Sequence, residues 1–291
     1  MISVKVNSKF NGEPLPLIAN QMRRDAIWSI YQGRSGHPGG ALSCADLLTV
    51  LFHRTMAPPK RRPDSYSDDY FVLSKGHAAP VLYAALASRG LLSRAELGQL
   101  RKLGSRLQGH PDVSRLPLVE VSTGSLGQGV SFAAGLAKAM QLDGGKDRVY
   151  ALVGDGELQE GQVWEMAMFA AHHKLANFTV IVDYNKLQSD SANSEVCGLE
   201  PLADRWRAFG WRVAEIDGHD LGAIEGALEE SGQAAGPQVF IAHTTKGKGV
   251  DFMEGQPLWH GSVTMSREQF EQSMTALGCG VTEIEEYGHV R

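Results

Sequence analysis

From Leu17 to Tyr31 the apolar residues Leu17, Ile18, Met22, Ala26, Ile27, Ile30 and Tyr31 recur every three or four positions, the period of an amphipathic helix that stops at Gly33. After the turn-rich GRSGHPGG, a second helix is predicted to begin near Ser43, with Asp46 three residues on as its capping-box partner, and to run through LLTVLF. The basic, proline-rich stretch APPKRRPDS (57–65) reads as a surface loop. YFVLS (70–74) reads as a short buried strand, HAAPVLYAALAS (77–88) as a helix closed by Gly90, and SRAELGQLRKL as a helix capped by Ser93 and Glu96 and ended by Gly104.

Farther along, the pattern alternates. Helix 128–140, strand 148–154, helix 161–175, strand 178–185, helix 201–210, strand 211–217, helix 220–231 and strand 237–244 follow one another with short connections. The strands are nearly continuously apolar, as strands covered on both sides must be. The fold class is therefore α/β, a parallel sheet with helices on both faces. With no internal repeat and no low-complexity linker, 1–291 reads as one domain with an all-α opening region at about 15–60. In such sheets ligands bind beyond the carboxyl ends of the strands, so the residues that follow each strand are the place to look for chemistry.

Composition removes several function classes. With 28 Lys+Arg against 33 Asp+Glu the net charge is −5, a poor basis for nucleic-acid binding. The longest purely apolar run, Val81 to Ala87, is far short of the ~20 residues of a bilayer span. The N-terminal MISVKVNSKFNGEP has no basic segment followed by an apolar one, so no secretory signal is expected. Three widely spaced cysteines, Cys44, Cys197 and Cys279, fit reduced thiols in the cytoplasm. Glycine is in excess, with 33 in 291 residues or about 11%, against about 7% ordinarily.

Many of those glycines stand at strand ends. The strand RVYALV runs into Gly154-Asp155-Gly156-Glu157, and FTVIVD into Tyr184-Asn185-Lys186-Leu187. Asp155 and Asn185 are thirty positions apart, the length of one strand–helix–strand crossover, which brings both side-chain oxygens to the same edge. Two hard oxygen ligands suit Mg²⁺ or Ca²⁺, and Mg²⁺ is commonly shared between one or two protein oxygens and phosphates. The glycines beside Asp155 let a diphosphate approach the backbone. Alone, Asp-Gly would be ordinary turn chemistry; its pairing with Asn185 at crossover distance is what points to a ligand.

GDGELQEGQVWEM followed by VDYNKLQSD resembles the thiamine-diphosphate fingerprint, in the version found in transketolases. SGHPGG (35–40), LSKGHAAP (73–80), GHPD (109–112), STGSLGQG (122–129), KGKGV (246–250) and LWHG (258–261) are similar to transketolase motifs and fall in the family's order over nearly the whole chain. The resemblance implies the thiamin diphosphate-binding fold, with thiamine diphosphate and Mg²⁺ as cofactors, or Ca²⁺ in its place. It implies Asp155, Asn185 and the carbonyl of Leu187 as metal ligands, and Gly154, Gly156 and Glu157 at the diphosphate. By the same resemblance Gly124, Ser125 and Leu126 lie by the cofactor rings, Ser125 standing where the family usually has proline. His37, His77, His110 and His260 resemble the histidines that contact the diphosphate and the reacting hydroxyls and carbonyl of the sugar. Imidazoles can accept and return a proton there. Glu160 resembles an acid that faces the partner's activating glutamate, as does Glu165, for which a helix N-terminal acid is an equal reading. Lys246 and Lys248 either contact phosphate or solvate a loop, and the remaining histidines, His53, His172, His173, His219, His243 and His289, are read as framework residues.

The implied activity is transfer of a two-carbon ketol unit from a ketose or its phosphate to an aldose or its phosphate. In this family a pyrimidine-binding domain supplies the activating glutamate and the sugar-phosphate contacts, and nothing after LWHG reads as such a domain. The expectation is a split enzyme, completed by a separate C-terminal subunit in an α2β2 assembly. Two other readings share parts of the pattern: the α subunit of a 2-oxo acid dehydrogenase, expected to lack SGHPGG, SKGHAAP and GHPD, and a non-catalytic binding subunit.

Overall fold

The computed structural model describes residues 13–56, 67–189, 191–231 and 235–287. Within them lie strands β1 (Tyr70–Leu73), β2 (Val149–Gly154), β3 (Phe178–Tyr184), β4 (Arg212–Asp217) and β5 (Gln238–His243). They form one sheet in the order β1-β2-β3-β5-β4, every pairing parallel. β3 occupies the centre and is buried at every position. Its side chains alternate between two apolar layers: Val180 and Val182 join Val149, Ala151, Val153 and Trp206, while Ile181 joins Tyr150, Leu152 and Phe240. Such side chains contribute roughly 1.5–3 kcal/mol each when fully buried, which is why the β-branched run is a strand only in this two-sided setting.

Helices cover both layers, as an all-parallel sheet requires. On one face pack Leu15–Gly33, Pro38–Ser43, Ala45–Val50 and Ala79–Ser88; on the other, Gln128–Leu142, Gly161–His172 and Leu202–Ala208. The first helix buries Ile18, Met22, Ala26, Ile27 and Ile30 on one stripe, and it ends where Arg34 turns left-handed at φ 50. Leu221–Glu230 is capped by Asp220, and Arg267–Ala276 by a capping box of Ser266 and Gln269. None of the helices among the described residues is long and apolar enough to cross a membrane.

Three expectations need correction. The capping box of Ser43 and Asp46 does not form; the helix begins at Pro38, breaks at Cys44 and resumes at Ala45. Both polar side chains are buried and drawn to distant partners: Ser43 Oγ donates to Asp183 at 2.5 Å, and Asp46 accepts from Arg23 and pairs with His219. The capping box of Ser93 and Glu96 is present, but its helix stops at Leu97 and the chain continues in turns. β4, expected to be buried, is a half-open edge strand, with Arg212, Glu215 and Asp217 facing solvent. A short helix, Val281–Glu286, was not foreseen. The stretch 57–65, most of the N-terminal segment and His289 lie outside the described residues.

Candidate active site

The parallel register levels the carboxyl ends of the strands: Gly154 pairs with Asp183, and Tyr184 with His243. Each strand therefore delivers its following residues to one rim. Ser74, Lys75 and His77 come after β1; Asp155, Gly156 and Glu157 after β2; Asn185 and Leu187 after β3; and Lys246 after β5. All of these but Ser74 line a cleft of about 190 Å³. Of the residues singled out in the sequence, His77, Leu126, Gly154, Asp155, Gly156, Glu157, Glu160, Asn185, Leu187, Lys246 and His260 line it.

Asp155 is 2% exposed. Its carboxylate accepts from the Gly156 N–H at 2.8 Å and from the Lys186 N–H, which ties it to the turn carrying Asn185 and Leu187. Asn185 Oδ1 accepts from the Leu187 N–H at 3.2 Å, while its amide nitrogen donates to Asp183 at 3.2 Å. Burial, reinforced by the Asp183 carboxylate, pushes the Asp155 pKa up to about 6. A carboxylate so placed would be held ionised by a cation. One carboxylate, one amide oxygen and one carbonyl at a glycine-flanked edge is a donor set that fits a hard divalent ion shared with a diphosphate. Among the described residues no group of three or more His, Cys, Asp or Glu could hold a metal ion. A site built here would draw on mixed oxygen donors instead.

Glu157 has a different occupation from its neighbour. It lines the cleft, but its carboxylate accepts from Ser74 Oγ at 2.5 Å, Gly127 N–H at 2.8 Å and Gly154 N–H at 3.1 Å, joining three loops. Burial raises its pKa, and those donors work against the rise. Beneath the cleft Lys75 and Asp183 form an ion pair with side chains 2% and 0% exposed. Burial alone would raise the Asp183 carboxyl, but Lys75, Ser43 and Thr244 outweigh it and hold it below the ordinary range.

Four histidines separated by more than 220 positions in the chain meet at this rim. The His37 ring lies 5.2 Å from His77, 6.4 Å from His110 and 6.3 Å from His260, and His77 lies 5.2 Å from His260. Burial lowers the pKa of all four. Arg101 adds to the effect at His37, which falls to about 4, and at His110. Lys246 adds to it at His260, which falls to about 3. The imidazoles are thus neutral at pH 7 and able to accept protons. Lys246 is 2% exposed, and burial with the nearby Lys75 lowers its pKa to about 8. Its Nζ lies 2.8 Å from His260 Nδ1. A charged Lys246 can only donate, so His260 carries its proton on Nε2.

The open readings divide accordingly. Lys246 belongs to the cleft, while Lys248 is 40% exposed and lies near Glu254 in a solvated loop. Glu160 lies exposed on the rim, and Glu165 is exposed away from it. His37, His110, Gly124 and Ser125 do not line the cleft itself. Gly124, at φ 146, is the seat of the His110 ring: a Cβ there would come within 3.1 Å of His110 Cγ. Ser125 is solvent-exposed at the turn before Gln128–Leu142. Sequence reasoning missed Lys75, Asp183 and Arg101. An acid ending the apolar run FTVIVD and a lysine beside Gly76-His77 were the available signals for the first two.

Comparison with known proteins follows the same line. Residues 16–284 match the family described as transketolase, thiamine diphosphate binding domain. The 6-deoxy-6-sulfo-D-fructose transketolase subunit SqwG of Clostridium sp. (strain MSTE9) is 41% identical over 260 residues, covering 89% of this chain and 94% of that protein. One subunit of the apulose-4-phosphate transketolase of Phocaeicola vulgatus is 38% identical over 274 residues, covering 94% of this chain and 97% of that one. The crystal structure of transketolase from Campylobacter jejuni superposes with a TM-score of 0.82 at 36% identity, over 91% of this chain but 42% of its own length.

Proposed function

Because the chain belongs to the transketolase family, as a thiamine-diphosphate-dependent transketolase subunit, we propose that it is a one-domain cofactor-binding subunit of a two-part enzyme that moves a ketol unit from a ketose to an aldose. The observation that carries this reading is the meeting of His37, His77, His110 and His260 above the edge formed by Asp155 and Asn185. On this reading neutral proton carriers would stand beside a cation and diphosphate seat, the combination that chemistry on a polyhydroxylated substrate requires.

Asp155, Asn185 and the Leu187 carbonyl would hold Mg²⁺, with Ca²⁺ as a substitute, and Gly154 and Gly156 would let the diphosphate reach the backbone. Leu126, with Gly124 and Ser125 in the same loop, would lie toward the rings of the cofactor. When bound, thiamine diphosphate supplies the carbon nucleophile that breaks and remakes the carbon–carbon bond. The protein's part is to orient and to move protons. His260, with its proton fixed on Nε2 by Lys246, donates toward the cleft. His37 and His110, neutral and at its mouth, take and return hydroxyl protons of the sugar. Glu157 would keep the loops of β1 and β2 together at the wall of the cleft, beside the diphosphate.

The two similar subunits are named for transketolases made of more than one chain. On that ground a C-terminal pyrimidine-binding subunit would supply the activating glutamate, which Glu160 on the exposed rim would face, together with the contacts to a sugar phosphate. The assembly would be α2β2. Three free thiols suit a reducing cytoplasm.

The test is reconstitution. Co-expression with a pyrimidine-domain partner should give ketol transfer from one member of a ketose panel, while the chain alone gives none. Transfer by the purified chain alone would overturn the two-part reading.

A further inference from the structure

One guanidinium touches three loops that each carry a histidine of the cluster. Arg101 Nη1 donates to Ser35 Oγ at 2.9 Å, two residues before His37, and to Ser262 Oγ at 3.3 Å, two residues after His260. Those two hydroxyls lie 2.6 Å apart, so the loops meet at the guanidinium. On its other side the group lies over Gly109, directly before His110. A Cβ on Gly109 would come within 2.5 Å of Arg101 Nε and 2.6 Å of its Cζ and Nη2, so the guanidinium fills the space a side chain would need.

Arg101 itself is left-handed at φ 58, a conformation a long side chain rarely adopts. Its N–H donates to the Leu107 carbonyl at 2.9 Å, which closes the turn leading to Gly109. Arg101 Nε is buried without a hydrogen-bond partner, and among the described residues no carboxylate forms an ion pair with the group. Two hydroxyls hold it in place, but they leave its charge unneutralised beside the histidines.

We propose that Arg101 is a positioning residue of the ketol-transfer site, drawing the loops of His37, His110 and His260 around one point and setting the spacing of their rings. The inference rests on the reading of those histidines as the substrate-facing ones. A guanidinium suits the task because Nη1 serves both hydroxyls while the rest of the same rigid plane, Nε, Cζ and Nη2, lies against Gly109, an arrangement that a lysine ammonium on a flexible stem does not fix in the same way. It also leaves an electrostatic mark. His37 is faced by His77, His110, His260, Lys246 and Arg101, and His110 by His37 and Arg101; at both, the arginine's charge opposes protonation.

The test compares Arg101→Gln and Arg101→Lys, using the full chain labelled with ¹⁵N-histidine and the assembled enzyme. In Arg101→Gln the NMR titration midpoints of His37 and His110 should rise by about one pH unit, as expected for losing a nearby charge. The acidic limb of kcat/KM should move up with them, and kcat/KM should fall by about tenfold or more. In Arg101→Lys the midpoints should stay near those of the unmodified chain while kcat/KM still falls, because charge is kept and the two-hydroxyl clasp is lost. Should the Gln variant not fold, Gly109→Ala, which displaces the guanidinium, is read by the same two measurements. Unmoved midpoints after loss or displacement of the charge, or kcat/KM within about twofold of the unmodified enzyme in both arginine variants, overturn the proposal. If the unmodified assembly transfers no ketol unit, the functional reading fails, and the midpoints still decide whether Arg101 acts on these rings.

Discussion

Lys75, just past the end of β1, and Asp183, near the end of β3, are paired beneath the cleft with side chains 2% and 0% exposed. Lys75 Nζ also donates to the Gly40 carbonyl at 2.9 Å, and Asp183 accepts from Ser43 and Thr244. The pair thus joins the SGHPGG loop, two strand ends and the start of the KGKG loop.

Cutting this pair on one side should be severe. Lys75→Met leaves a buried carboxylate without its cation, and losing one member of a buried pair costs about 3–5 kcal/mol. Urea denaturation at pH 7 should show that loss, and Lys75→Met combined with Asp183→Leu should recover part of it. Asp183 is held below the ordinary carboxylate range, so its contribution is present above the unfolded pKa of about 4 and is lost as pH falls through the folded value. Lys75 is raised, burial being outweighed by Asp183, so its contribution is complete below the unfolded pKa of about 10.4 and is lost as pH climbs through the folded value. The difference between the unmodified chain and Lys75→Met should therefore be flat from about pH 5 to 10.

The histidine cluster should make the fold acid-sensitive. An unfolded imidazole takes its proton near pH 6.5, whereas folded His37 does so at about 4 and His260 at about 3. Between those values the unfolded chain binds more protons, so acidification favours unfolding. Denaturation midpoints should fall steadily from pH 7 to 4.5, and His37→Gln should flatten the slope. A slope unchanged by that substitution would place the proton uptake elsewhere.

Lys246→Met should disorder the proton position on His260, because the 2.8 Å contact to Nδ1 is what selects the tautomer. Loss of correctly placed acid–base catalysis is worth about 10²-fold or more, so kcat/KM of the assembled enzyme should fall by that order. The His260 resonances should shift toward a mixture of tautomers and titrate at higher pH.

Asp155 and Glu157, two residues apart, should fail differently. Asp155→Ala should abolish Mg²⁺-dependent binding of thiamine diphosphate by the assembled complex, measured by calorimetry, with retained secondary structure by circular dichroism. Glu157→Ala removes the acceptor shared by Ser74, Gly127 and Gly154, and should first lower stability, by about 2–4 kcal/mol. If Asp155→Ala binds the cofactor unimpaired, the metal seat is misassigned.

Much of the fold was legible because the β-strands of the alternating region, β4 apart, are apolar and framed by glycine or polar turns. The parallel order and the helices on both faces follow from that alternation. What failed was local capping logic in buried places. Ser43 and Asp46 have the spacing of a helix start, but their side chains satisfy Asp183, Arg23 and His219, residues far off in sequence. The exposure of β4 had a signal in WRVAEID, whose Arg212, Glu215 and Asp217 are charged, and the sheet order, which puts β4 outermost, accounts for it. In the site, Asp155, Asn185 and the glycine-flanked histidines stood out because their residue types are costly or unsuitable as core filling at strand ends. Arg101 did not. Its role depends on Ser35, Gly109 and Ser262 meeting in space, and no spacing along the chain encodes that.

The open edge of β4 bears on how copies of this chain behave in concentrated solution. A bare strand edge invites pairing with another chain, and charges along it are a common safeguard. Arg212 pairs with Glu230 and Glu215 hydrogen-bonds with His243, so partnered polar side chains stand along the strand where a foreign strand would have to align. Sheet extension from this side would strip water and partners from those charges. The chain is therefore better protected against fibre-like self-association than a five-stranded sheet with an apolar rim would be.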